Sequence, residues 1–141
     1  MTGDAARIEP GQRLPEIVKQ VTQEQVGAYA EAAGDFNPIH LDETYAAGTQ
    51  FGRRIAHGML VLAFVSEMMA TAFPREWPTT GRLKVRFKAP VFPGETVRTT
   101  GEAISVSGAS GPGQVIEYRV GVLKPDGTEA IAGQAFVTVT G

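Results

Sequence analysis

The sequence predicts an α+β fold in which one long central helix is wrapped by a curved antiparallel sheet. Three observations predict it. Segments with helical spacing lie in the first half of the chain, and segments with a period of two follow in the second. Residues 58–73 are apolar on almost every side (Met59, Leu60, Val61, Leu62, Ala63, Phe64, Val65, Met68, Met69), which places that helix inside the structure. Helices grouped ahead of a run of strands argue for α+β rather than an alternating parallel sheet. At 141 residues the chain is expected to form a single domain, 1–141, large enough for its own core.

Residues 1–6 are small and polar and are expected to form a flexible tail. Residues 14–21, with Ile17, Val18 and Val21, read as a short first strand. Thr22 opens a capping box with Gln25 three positions on. Val26, Tyr29, Ala30 and Ala33 then follow at helical spacing, and Gly34 is suited to the left-handed cap. Residues 42–49 read as a second short helix, capped by Asp42, with Tyr45 and Ala46 facing inward. Residues 52–56 connect it to the apolar helix, which Pro74 and Pro78 stop. Next, Leu83, Val85 and Phe87 alternate with Arg82, Lys84, Arg86 and Lys88. Strands follow at 96–106, 114–123 and 129–140, the last two as a hairpin. Turn signals separate them at Pro93-Gly94, 108–113 and Pro125-Asp126-Gly127.

The formal net charge of −2 lacks the basic footprint that nucleic acid requires. The chain has no cysteine, which removes thiolate nucleophiles and cysteine-ligated zinc and fits a reducing cytoplasm. The longest apolar run, 59–65, is too short to span a bilayer, and the N-terminus has no apolar core of a secretory signal. A cytoplasmic, unprocessed protein outside the membrane is expected.

The most informative stretch is Gly34-Asp35-Phe36-Asn37-Pro38-Ile39-His40, followed by Phe51-Gly52-Arg53-Arg54-Ile55-Ala56-His57-Gly58-Met59. Asp35 alone reads as a turn former and His40 alone as a structural histidine. Together, five positions apart across a proline-stiffened turn, they can face one water as an acid–base pair. Gly58 stands at the start of the apolar helix. There it is either a sterically required glycine or a place where a carbonyl approaches free N–H groups that hold a developing oxyanion. His57 reads as structural, closing the loop. His40 and His57 are too far apart in sequence and context to form a ligand motif, and no His-x-His or His-Glu-x-x-His spacing occurs, so no metal is expected. Ser66, polar in an apolar helix, either bonds back to a carbonyl one turn earlier or points into the cavity. The missing Gly-x-Ser-x-Gly elbow argues against a serine nucleophile. Lys84, Arg86 and Lys88 form a cationic stripe that is either a solvated face or a phosphate contact.

At these residues the chain resembles the MaoC-like (R)-specific enoyl-CoA hydratase family, which has the hotdog fold. The likeness runs through Ala33-Gly34-Asp35-Phe36-Asn37-Pro38-Ile39-His40-Leu41-Asp42, then residues 51–59, then Val85-Arg86-Phe87-Lys88-Ala89-Pro90-Val91-Phe92-Pro93-Gly94. The resemblance implies that Asp35 and His40 are catalytic and that Gly58 is the oxyanion donor. It implies that Ser66 belongs to the active site and that Asn37 supports the loop. It further implies reversible hydration of a trans-2-enoyl thioester, carried on coenzyme A or acyl carrier protein, with no cofactor. A homodimer is implied as well, with the acyl-thioester arm entering between subunits. A hotdog acyl-CoA thioesterase and a non-catalytic subunit of a heteromeric dehydratase are the alternatives.

Overall fold

The computed structural model describes residues 8–108 and 113–140. The expected tail at 1–6 and most of the turn at 108–113 lie outside those residues. In chain order the elements are β1 (Val18–Gln20), α1 (Gln23–Ala33), α2 (Pro38–Leu41), α3 (Glu43–Ala47) and α4 (Gly58–Ala72), then α5 (Glu76–Thr80), β2 (Arg82–Phe87), β3 (Thr96–Ser107), β4 (Gln114–Leu123) and β5 (Glu129–Val139). The five strands form one antiparallel sheet in the order β1-β3-β4-β5-β2. The expected β4–β5 hairpin is present, with Tyr118 opposite Ala135 and Val120 opposite Gly133. β2 precedes β3 in sequence but pairs with β5 at the far edge, so residues 88–95 carry the chain across the sheet.

Alternation along the strands selects the buried face. Val97, Thr99 and Ala103 of β3, Ile116, Tyr118, Val120 and Val122 of β4, and Ala135, Val137 and Val139 of β5 are all buried. α4 lies against this face through Val61, Phe64, Val65, Met68 and Met69. A bulge between Ala103 and Ser105 adds local bend and twist to β3, one source of the sheet's curvature. Burial in this core pushes the Tyr118 phenol up to about 12.

The structure departs from the sequence reading at five places. The first strand is three residues long: Pro15 has no N–H, and the Ile17 N–H goes to the Thr99 hydroxyl (2.8 Å) rather than to a ladder carbonyl. The segment before it still follows β3, with the Leu14 N–H donating to the Gly101 carbonyl (2.9 Å) and the Thr99 N–H to the Ile17 carbonyl (2.9 Å). Residues 38–41 close into a one-turn helix rather than an open turn. Tyr45 is 53% exposed, since a five-residue helix has one inward position and Ala46 occupies it. α4 is not covered on all sides: Met59, Ala63 and Glu67, one turn apart, are exposed. Pro78 does not stop a helix but sits in the first turn of α5, where its missing N–H has no intrahelical role.

Candidate active site

Asp35 is placed by the way α1 ends. Gly34 takes the left-handed conformation (φ 72°), and the Asp35 N–H donates back to the Ala30 carbonyl (3.1 Å). One Asp35 carboxylate oxygen accepts the Asn37 N–H (3.3 Å), and the Asn37 side-chain oxygen accepts the Ile39 N–H (3.0 Å). Asn37 thus caps α2, and Pro38 at its first position pre-sets the backbone. These two short links carry the chain from Asp35 to His40 and leave the second carboxylate oxygen available. Asp35 itself is exposed.

His40 is anchored at ring and main chain. Its carbonyl accepts from the Gln23 side-chain amide (2.9 Å), and the Ile55 N–H donates to the Ile39 carbonyl (3.2 Å). Nδ1 of His40 lies 2.8 Å from the Ile55 carbonyl. A carbonyl only accepts, so in the neutral ring Nδ1 carries the hydrogen and Nε2 the lone pair.

His57 is 2% exposed and lies within this site. Its Nε2 is 3.0 Å from the Asp35 carbonyl, so that nitrogen carries the hydrogen. Its ring stacks on His40 with centroids 3.8 Å apart and planes 27° apart, and Tyr29 tilts against it at 4.8 Å. His57 Nδ1 is buried and without a hydrogen-bond partner among the described residues. The sequence reading that held the two histidines apart is corrected here: Asp35, His40 and His57 each offer a donor atom within 4.8 Å of the others. The set is nevertheless a poor metal cage. Each ring commits one nitrogen to a main-chain carbonyl, which leaves a single nitrogen per histidine to offer an ion.

Gly58 is the first residue of α4 and follows His57 at the N-cap. The helical hydrogen bonds begin with the Leu60 N–H on the His57 carbonyl (3.1 Å), so the Gly58 and Met59 amides have no partner within the helix. A Cβ at Gly58 would stand 3.0 Å from the Phe87 ring. Gly58 also lines an apolar cavity of about 300 Å³ with Phe51, Ile55, Val61, Phe87 and Val91.

The remaining sequence candidates lie elsewhere. The Ser66 hydroxyl accepts the Trp77 indole N–H (2.9 Å), so it bonds neither back along its helix nor to His40. Lys84 and Arg86 line a separate cavity of about 360 Å³ with Gln134 at the β2 edge. Lys88 borders the Gly58 cavity and pairs with Glu129 (2.8 Å). Sequence reasoning missed the contact of His57 with both Asp35 and His40, and the packing of Phe87 on Gly58. The only signal for His57 was its place just before the glycine that starts α4.

An α+β sheet-and-helix fold sets a carboxylate, an imidazole lone pair and a helix N-terminus beside an apolar cavity, groups able to exchange protons and to oppose a developing negative charge. The chain belongs to the MaoC-like domain family, whose model matches residues 6–123. It is 33% identical over 123 residues to the (R)-specific enoyl-CoA hydratase of Rhodospirillum rubrum, covering 87% of this chain and 83% of that protein. To the (R)-specific enoyl-CoA hydratase of Aeromonas caviae it is 32% identical over 133 residues, 94% of this chain and 96% of that one. The solved structure of the A. caviae (R)-hydratase involved in PHA biosynthesis superposes with a TM-score of 0.80 at 30% identity, covering 92% of this chain and 96% of that one. The fold is the hotdog fold of these hydratases. Among the described residues no helix is long and apolar enough to cross a membrane.

Proposed function

We infer that this protein catalyses the reversible addition of water to a trans-2-enoyl thioester, giving an (R)-3-hydroxyacyl thioester. One observation carries the reading: an Asp35 carboxylate oxygen and a ring nitrogen of His40 lie within 4.8 Å of each other, and the Nδ1 contact with the Ile55 carbonyl leaves Nε2 of His40 with its lone pair. Two acceptors at that spacing can hold one water between them. Its oxygen adds to C3, and a proton reaches C2 on the same face, so the product contains every atom of both reactants. Asp35 and His40 share the proton traffic. As electrons move toward the thioester oxygen, the Gly58 N–H and the positive end of α4 stabilise the growing negative charge. The apolar cavity beside Gly58 takes the hydrocarbon part of the substrate, which is held on coenzyme A or acyl carrier protein. Lys84 and Arg86, exposed on the β2 edge, meet the carrier's phosphates. The working unit is a homodimer in the cytoplasm. Phe36, Met59 and Phe87, each more than half exposed, adjoin the site residues and supply the apolar surface a second copy covers.

Loss of the enoyl-thioester ultraviolet absorbance of crotonyl-CoA tests the reading. Asp35→Asn and His40→Ala are each expected to lower turnover by about 10²–10⁴-fold with the fold intact. Unchanged turnover in Asp35→Asn would overturn it, and release of free CoA thiol would redirect it to a thioesterase.

A further inference from the structure

We propose that His57 is a positioning residue that sets Asp35 and His40 relative to each other and ties both to Gly58. The inference rests on the hydratase reading above for its catalytic meaning, and on geometry for the rest. Its basis is the tripeptide Ile55-Ala56-His57. The Ile55 carbonyl accepts from His40 Nδ1 (2.8 Å), and the Ile55 N–H donates to the Ile39 carbonyl (3.2 Å). The Ala56 N–H donates to the Val91 carbonyl (2.8 Å), which fastens the tripeptide to the crossing segment under the cavity. His57 Nε2–H then donates to the Asp35 carbonyl (3.0 Å), and its ring face lies on His40 at 3.8 Å. The next residue is Gly58.

Each contact does a different job. The N–H donation holds Asp35 at its main chain, leaving its carboxylate for water. Stacking holds the plane of His40, so Nε2 keeps its direction as protons move. Tyr29, tilted at 54° on His57 with centroids 4.8 Å apart, adds a second ring contact to the same imidazole. Among the described residues the Nε2–H to the Asp35 carbonyl is the one hydrogen bond of the His57 side chain, and the buried Nδ1 has no partner there. A histidine kept merely to fill space would need no tautomer; this position requires the Nε2–H form.

The chain has two histidines, so nitrogen-15 labelling of histidine resolves both rings. The tautomers are read from the neutral-ring nitrogen signals at the alkaline end of a pH series. The Nε2–H form at His57 and the Nδ1–H form at His40 are expected; an Nδ1–H form at His57 overturns the proposal. Three variants separate the two contacts. His57→Gln keeps a donor near the Asp35 carbonyl, His57→Phe keeps the ring stack, and His57→Leu keeps neither. On crotonyl-CoA, His57→Leu is expected to lose about 10²-fold in kcat with KM little changed, as for a displacement of about 1 Å at reacting groups. Gln and Phe should each recover part of that loss. A folded Leu variant with parental kcat, or a loss confined to KM, overturns the proposal, as does failure of both Gln and Phe to rescue. If the Leu variant does not fold, the tautomers and the Gln–Phe pair still decide. A parent that turns over no enoyl thioester overturns the hydratase reading alone, and the tautomers then decide the geometry by themselves.

Discussion

Gly58 concentrates two requirements in one residue. Its N–H is the oxyanion donor of the proposed mechanism, and its hydrogen side chain leaves room for the Phe87 ring 3.0 Å from where a Cβ would stand. These roles separate experimentally. Gly58 is the first residue of α4, a position where proline fits a helix, and His57 at φ −62°, ψ 133° has the extended backbone a following proline demands. Gly58→Pro and Gly58→Ala both add a Cβ against Phe87, but the alanine keeps the N–H whereas the proline preserves the helix and removes the N–H, so the difference between the two variants reads the N–H. Turnover of crotonyl-CoA is expected to fall about 10²–10³-fold in the proline variant and less in the alanine variant, with helix content by circular dichroism unchanged in both. Tyr118 supplies a residue-scale prediction about stability. Its phenol is pushed up to about 12, whereas an unfolded tyrosine ionises near 10. Between those values the unfolded chain releases a proton that the native protein retains, so stability falls with rising pH, by up to about 1.4 kcal/mol per unit. The contribution is complete below pH about 10 and lost as pH passes about 12. Phenolate absorbance should show one of the three tyrosines ionising late, and denaturant midpoints should drop over the same window.

At the scale of elements, α4 and α5 depend on one another through a bond that replaces an expected site contact. The Ser66 hydroxyl takes the Trp77 indole N–H (2.9 Å) and so ties the helix under the sheet to the short helix that leads into β2. Ser66→Ala leaves that half-buried donor without its acceptor and is expected to cost about 1 kcal/mol in chemical denaturation, without the loss of turnover seen for Asp35→Asn. A Ser66→Ala variant of parental stability and lost turnover would return the residue to the substrate. The contrast marks what was legible in the sequence. Local chemistry was legible: the capping box of Thr22 and Gln25, the left-handed Gly34, the Asp42 cap and the β4 and β5 strands all stand where residue types placed them. So was the Asp35–His40 pairing, because five residues with one proline leave few ways to turn. Long-range geometry was not. His57 meets Asp35 across 22 positions, Trp77 meets Ser66 across 11, and β2 pairs with β5 rather than with the next strand. No local preference encodes those meetings. They follow from how a curved sheet closes on α4.

For the whole molecule the question is what covers the surface around the site. β1 and β2 are the two edges of the sheet, and β2 is the longer, with six residues and no neighbouring strand on its outer side among the described residues. Phe87 at the end of that strand, Met59 at the start of α4 and Phe36 beside Asp35 are 54%, 57% and 58% exposed. Fully burying side chains of this size contributes about 1.5–3 kcal/mol each, and a symmetric contact counts every one twice. That surface borders Gly58 and Asp35, so a second copy lying on it would also exclude water from the thioester. Light scattering is therefore expected to give twice the 15.0 kDa chain mass. Met59→Lys puts a charge on the covered face and is expected to shift the mass toward the single chain. Specific activity should then fall on dilution, while circular dichroism stays parental. Dilution of the unmodified protein provides the control that does not alter a neighbour of Gly58. If dimerisation completes the site, mass and turnover decline together over one concentration range. A parent that scatters as 15.0 kDa and keeps full turnover would show that the single chain closes its own site, and the exposed apolar residues would then need another partner.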